Sequence, residues 1–76
     1  MTSIILTKKF MYSHEHVSIE KIEHEIGPTN DHIRSLIAVY NNVLDVYIDF
    51  PLLSYATYDN VANRLYEAIR HFIGDR

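Results

Sequence analysis

The stretch over residues 33–50 constrains the fold of this chain more than any other part of the sequence. Two asparagines, Asn41 and Asn42, separate two runs of mostly apolar residues there. Asparagine tolerates the positive φ angles that a tight type I′ turn requires. A turn at this pair places Tyr40 opposite Val43 and fixes the register of both flanking strands. The sequence therefore predicts a β-hairpin over residues 33–50.

This register separates the side chains of the β-hairpin into two unlike faces. One face pairs Arg34 with Asp49 across the strands. The other face collects most branched aliphatic residues and one phenylalanine: Ile33, Ile37, Val39, Leu44, Val46, Ile48 and Phe50. A helix is the alternative, because the apolar residues between positions 33 and 40 also recur at helical spacing. The alternation over residues 44–50 has the period of a strand and favours the β-hairpin.

A second clear pattern lies near the C-terminus. At about 100° per residue, the apolar residues between positions 58 and 73 occupy one arc of roughly 160°, and polar residues fill the opposite arc. Thr57 is suited to the N-cap and Gly74 to the C-terminal stop, while Pro51 ends the preceding strand. The sequence therefore predicts an amphipathic helix of about 16 residues.

The first third of the chain carries weaker patterns. Three isoleucines within residues 19–26 make a narrow helical stripe, which Ser18 can cap and Gly27 can end. Residues 3–12 are rich in β-forming side chains and are predicted to form a strand. The resulting order is β-α-β-β-α. It predicts that residues 1–76 are a single α+β domain, with a three-stranded sheet and two helices on one face.

Composition limits the classes of function. The chain has no cysteine, which excludes disulfides and thiolate metal sites. Its formal charge is −3, and its charges are spread along the chain, which argues against a general binder of polyphosphate. The sequence shows neither an N-terminal signal pattern nor an apolar run of about 18 residues. We therefore expect a cytoplasmic protein without a membrane span.

Histidine is enriched, and three of the five histidines lie close together in the sequence. His14 and His16 form an H-x-H pair, and His24 with its neighbouring glutamates could complete a site for Zn²⁺. The alternative is a solvated polar connection. We favour it because a metal site also needs a third ligand and an outer shell of hydrogen bonds. We therefore predict no metal and no cofactor.

Paired carboxylates for acid–base catalysis have one candidate in this sequence, Asp45 with Asp49. Along an extended strand about 13 Å would separate their Cα atoms. Asp49 also has Arg34 as its predicted cross-strand partner. With only two glycines in the chain, a phosphate-binding glycine loop cannot be built. We therefore predict that the chain is not an enzyme.

Six tyrosines in so short a chain exceed what one core needs. Tyrosine is enriched where proteins meet, because it offers a large contact area and a polar tip at little cost in entropy. The candidate partner-binding residues lie on the outer face of the β-hairpin or on the flanks of the C-terminal helix: Leu36, Tyr40, Val43, Tyr47, Tyr58 and Tyr66. The alternative is that other elements cover them within the monomer. We predict a small non-enzymatic protein–protein interaction module, which binds a protein partner or forms a homodimer.

A chain rich in isoleucine, asparagine and tyrosine is typical of phages and mobile elements, which suggests that this interaction module inhibits or regulates a larger host complex. Two further classes of function stay open beside it. A small nucleic-acid-binding regulator could use Lys8, Lys9 and Arg34 together with tyrosines, although Asp45 and Asp49 on the same face should repel phosphate. A histidine-rich metal-binding protein is the remaining alternative.

Overall fold

The computed structural model describes residues 13–74, which form three helices. They are α1 (Ile19–Ile26), α2 (Asp31–Asp49) and α3 (Pro51–Gly74). α2 and α3 pack along each other as an antiparallel helical hairpin, and α1 lies against this pair. No strand occurs among residues 13–74, so the predicted α+β fold with a three-stranded sheet is wrong. The strand predicted over residues 3–12 lies outside the described residues.

α2 is a helix because its buried residues recur at helical spacing and not at the alternating spacing of a strand. The fully buried residues follow positions i, i+4, i+7 and i+11: Ile33, Ile37, Tyr40 and Leu44. Asn30 caps the helix, since its Oδ1 accepts a hydrogen bond from the Ile33 N–H at 2.9 Å. Asp31 follows in the first turn, where the helix dipole favours a carboxylate. The predicted β-hairpin over residues 33–50 is therefore wrong.

The asparagine pair lies in the middle of α2, not in a turn. Asn41 holds the segment before α1: the Val17 N–H donates to Asn41 Oδ1 at 2.7 Å, and Asn41 Nδ2 donates to the Val17 carbonyl oxygen at 2.9 Å. The predicted faces are rearranged as well. Tyr40, expected on the outer face, is fully buried, whereas Val46, expected in the core, is half-exposed. A contact distant in sequence therefore explains Asn41, where local turn chemistry does not.

α3 begins at Pro51 and not at Thr57, the predicted N-cap. Proline suits the first turn of a helix because its missing N–H needs no intrahelical partner there. Phe50 alone joins the two helices, and its N–H donates to the Val46 carbonyl oxygen at 2.8 Å. Pro51 thus starts a helix where the sequence predicted the end of a strand. The predicted amphipathic helix lies inside α3, whose buried residues are Ser54, Tyr58, Ala62, Leu65 and Ile69.

The prediction of a short helix over residues 19–26 is confirmed by α1. Ser18 Oγ accepts a hydrogen bond from a backbone N–H of the first turn at 3.3 Å, and Gly27, with a φ of 90°, ends the helix. A helix of two turns is marginal alone. Ile22 and Ile26 are buried in the core shared with α2 and α3, and this packing stabilises α1.

Glu23 anchors α1 to the start of α2. Its Oε2 accepts hydrogen bonds from the Thr29 N–H at 2.9 Å and from Thr29 Oγ1 at 3.0 Å. Arg34 Nη2 donates to both oxygens, at 3.2 and 3.1 Å. These donors, the Thr29 N–H foremost, stabilise the carboxylate and hold the pKa of Glu23 below its ordinary value. The predicted pairing of Arg34 with Asp49 is therefore wrong, because the guanidinium binds Glu23.

Candidate interaction surface

The turn between α2 and α3 exposes large apolar side chains. Leu52 is 96% exposed and Leu53 is 87% exposed. Ile48, Phe50 and Tyr55 each expose more than half of their surface. We call these five residues the apolar tip. Large apolar side chains exposed over so short a stretch of a small protein mark a candidate site of interaction.

A shallow groove continues from the apolar tip between α2 and α3. It has a volume of about 280 Å³, and its lining residues are Asn42, Val43, Val46, Leu53, Ser54 and Thr57. Leu53 belongs to both the groove and the apolar tip, so the two form one surface. None of the six lining side chains carries a charge. An apolar group fits this groove, whereas a charged group would lose hydration there without gaining a partner.

The groove follows from a second apolar stripe on α2, beside the buried one. Val39, Val43 and Val46 recur at i, i+4 and i+7, and Phe50 continues the spacing. The segment before α1 covers the other side of α2, where Asn41 binds the backbone of Val17. The valine stripe lies away from that contact, so Val39 and Val46 stay about half-exposed.

Stacked tyrosines support the apolar tip from inside. The rings of Tyr47 and Tyr58 lie parallel, with centroids 4.3 Å apart and an angle of 5° between their planes. The hydroxyl oxygens of Tyr40 and Tyr58 are 3.1 Å apart, and burial raises the pKa of Tyr40 well above its ordinary value. Tyr55 of the apolar tip lies 6.3 Å from the Tyr47 ring, between centroids. A base packed in this way gives the tip a defined shape, which lowers the entropic cost of binding.

The six predicted partner-binding residues lie mostly beneath this surface. Tyr40 and Tyr58 are buried, so neither ring is accessible to a partner in this structure. The other four pack partly buried against the core: Leu36, Val43, Tyr47 and Tyr66. Of the six, Val43 alone lines the groove. Partner binding through the four partly exposed residues stays a prediction.

The residues of the apolar tip were missed by reasoning from the sequence. The predicted register placed Ile48 and Phe50 on the aliphatic face of the β-hairpin. Leu52 and Leu53 fell between the predicted strand end at Pro51 and the predicted N-cap at Thr57. One signal could have identified them. If Pro51 is taken as the first residue of the C-terminal helix, both leucines fall outside the apolar arc of that helix.

Two of the three histidines that were candidate metal ligands, His14 and His16, contact other side chains. His16 Nε2 lies 2.7 Å from Asp45 Oδ1, and both side chains are exposed. His14 packs edge-on against Tyr47, with ring centroids 5.8 Å apart, and His24 lies in the last turn of α1. In the part of the chain that the structure describes, no three side chains of metal-ligating type come together.

Charge near the apolar tip is acidic. Asp45 lies one turn before the tip residue Phe50, and Asp49 lies between the tip residues Ile48 and Phe50. Arg34 and Arg70 lie toward the opposite end of the helical hairpin, roughly 20 Å or more from the tip along the helices at a rise of 1.5 Å per residue. Arg64 lies near the middle of α3, about 17 Å from Leu53 along the helix. This distribution disfavours the approach of phosphate groups to the tip. No helix within residues 13–74 is both long enough and apolar enough to cross a membrane.

Comparisons of the chain with protein-family models, with curated proteins and with solved structures found no match.

Proposed function

We propose that this chain is a non-enzymatic protein–protein interaction module that docks on its partner through the apolar tip and the groove. The observation that carries the proposal is the near-complete exposure of Leu52 and Leu53. Full burial of a leucine side chain is worth about 1.5–3 kcal/mol relative to leaving it in water. A partner that covers both leucines recovers this free energy, whereas the isolated chain does not.

The helical hairpin does not need the apolar tip for its own core. The buried core is formed by other residues of α1, α2 and α3, with Leu44 and Leu65 among the fully buried ones. The tip projects from the end where α2 meets α3. The apolar character of Leu52 and Leu53 therefore contributes little to folding, and contact with another molecule gives it a role.

The chemistry of the surface supports a protein as the occupant. Side-chain polar groups in the groove are the neutral ones of Asn42, Ser54 and Thr57, and Ser54 Oγ donates to the Phe50 carbonyl oxygen. Acid–base or nucleophilic catalysis needs a titratable or activated group, which this lining does not offer. The nearby carboxylates disfavour nucleic acid. An inhibitor or regulator of a larger complex would bury such a surface on its target.

Site-specific photo-crosslinking in the cells that naturally express the chain tests the proposal. A benzoylphenylalanine at position 52 places the reactive group on the apolar tip, where the native leucine is almost wholly in water. The matched control places the same group at position 38, because Ala38 is also exposed but lies on α2 away from the groove. We expect discrete protein adducts from position 52 and none of the same mass from position 38.

Two outcomes contradict the proposal. Equal adducts from both positions would show that the apolar tip has no preference for a partner. A complete lack of protein adducts from position 52, with the folded chain present at normal levels, would show that no protein covers the tip.

A further inference from the structure

We infer that the occupant of the apolar tip and groove is a second copy of this chain, an inference that rests on the proposed function and names its partner. One molecule carries both a projecting element, formed by Phe50, Leu52 and Leu53, and an open groove beside it. A two-fold symmetric dimer requires one surface that complements itself. Here each copy offers side chains to the groove of the other.

The size of the surface fits a weak dimer. A large apolar side chain exposes on the order of 100–200 Å², so the exposed parts of the projecting element, Val39 and Val46 amount to roughly 600 Å². A standard interface takes about 800 Å² from each partner, and weak or transient interfaces take about 600 Å² or less. The exposed apolar surface of one chain therefore suffices for one side of a weak interface.

Charge does not oppose contact between the grooves of two copies. The lining of the groove is neutral throughout. Asp45, the acidic residue of α2 nearest in sequence to Val46, is paired with His16 on the side that the segment before α1 covers. Asp49, at the end of α2, is exposed and lies outside the lining of the groove. Two copies can therefore bring their neutral groove linings together, and four helices then pack around one apolar seam.

Sedimentation equilibrium of the purified full chain tests this inference. Between about 5 μM and 500 μM, a range that brackets micromolar dissociation constants, we expect the mass to rise from 8.9 kDa toward twice that value. Leu53→Glu should weaken the association at least tenfold, because a carboxylate would enter an apolar interface. The substitution spares the fold, since Leu53 is exposed and the first turn of α3 favours an acidic residue.

Ala38→Glu is the matched control, with the same added charge on an exposed position of α2 outside the groove. It should associate within twofold of the parent chain, and both variants should keep the helical circular-dichroism spectrum. A parent chain that stays at 8.9 kDa throughout overturns the inference, as does a dimer that both variants weaken equally or that Leu53→Glu leaves unchanged.

The two proposals fail in different ways. A purified chain that stays monomeric, while position 52 crosslinks to a different protein in cells, overturns the second copy as occupant and supports the interaction module. A monomeric chain without adducts at position 52 overturns both. An adduct at position 52 with the mass of two chains supports both.

Discussion

Alanine substitutions at Leu44 and, separately, at Val46 distinguish the helical hairpin from a β-hairpin. In a strand the two residues point to the same face, because side chains alternate with a period of two. In α2 they are about 200° apart around the helix axis. Leu44 is fully buried and Val46 is half-exposed. In the helical hairpin the two alanine substitutions should therefore lower the free energy of unfolding by different amounts, whereas in a β-hairpin they should lower it by similar amounts.

The expected magnitudes follow from burial. Leu44→Ala should lower the free energy of unfolding by about 2–5 kcal/mol, the range for a buried leucine. Val46→Ala removes two methyl groups at about half burial, a loss of about 0.8 kcal/mol, and gains about 0.5 kcal/mol from the higher helix propensity of alanine. Its net effect should stay within about 0.5 kcal/mol. A domain of this size has a total free energy of unfolding of about 4–11 kcal/mol, so Leu44→Ala removes a large share of it.

Urea denaturation followed by circular dichroism at 222 nm measures both effects. All proteins in the series should carry Leu53→Glu, so that association through the groove does not add to the free energy of unfolding. Thermal unfolding gives a second measurement, in which Leu44→Ala should lower the Tm by more than about 10 °C. Similar large losses at both positions would refute the helical assignment of α2.

Two further substitutions test how α1 is fastened to the helical hairpin. Asn41→Ala removes both hydrogen bonds to the Val17 backbone, so it should cost about 1–3 kcal/mol and speed amide exchange across α1, measured by hydrogen exchange. Glu23 has a pKa below its ordinary value, so its stabilisation is present above pH 4.5 and is lost as the pH falls through the lowered pKa. The Glu23→Gln variant should therefore be less stable than the parent chain near neutral pH. Its free energy of unfolding should also fall less than that of the parent as the pH is lowered, measured by urea denaturation from about pH 6 down to about pH 3.

Two helices could be predicted from the sequence because their local signals agree with their period. In α1, Ser18 and Gly27 bracket a stripe of isoleucines, and the stripe alone predicts the buried side. In the second half of α3, apolar and polar residues occupy opposite arcs as far as Gly74. Caps and periodicity point to the same structure in both segments, so neither depends on distant contacts.

α2 could not be predicted because it carries two apolar stripes instead of one. The buried stripe runs through Ile37 and Leu44, and the valine stripe beside the groove runs through Val39 and Val46. Together they make the helix apolar on two sides, and over a few residues the sum resembles the alternation of a strand. Asn41 added to the error, since its contact with a backbone 24 residues earlier has no local signature.

The apolar tip was hidden by the same error. While residues 33–50 are interpreted as two strands, Phe50 belongs to the core and Pro51 is a strand end. Once α2 and α3 are helices joined at Phe50, the leucines that follow have no helix to pack against. The candidate site therefore depends on the tertiary fold and not on a motif.

Methyl NMR with a soluble paramagnetic relaxation agent tests the central claim most directly, because it reports the exposure of each leucine in one experiment. In dilute solution the methyl signals of Leu52 and Leu53 should be strongly broadened, while those of Leu44 and Leu65 stay sharp. In concentrated solution we expect Leu52 and Leu53 to become protected as the second copy covers them. Protection of both leucines already at high dilution would contradict the exposed apolar tip, and full broadening at every concentration would contradict the second copy as its occupant.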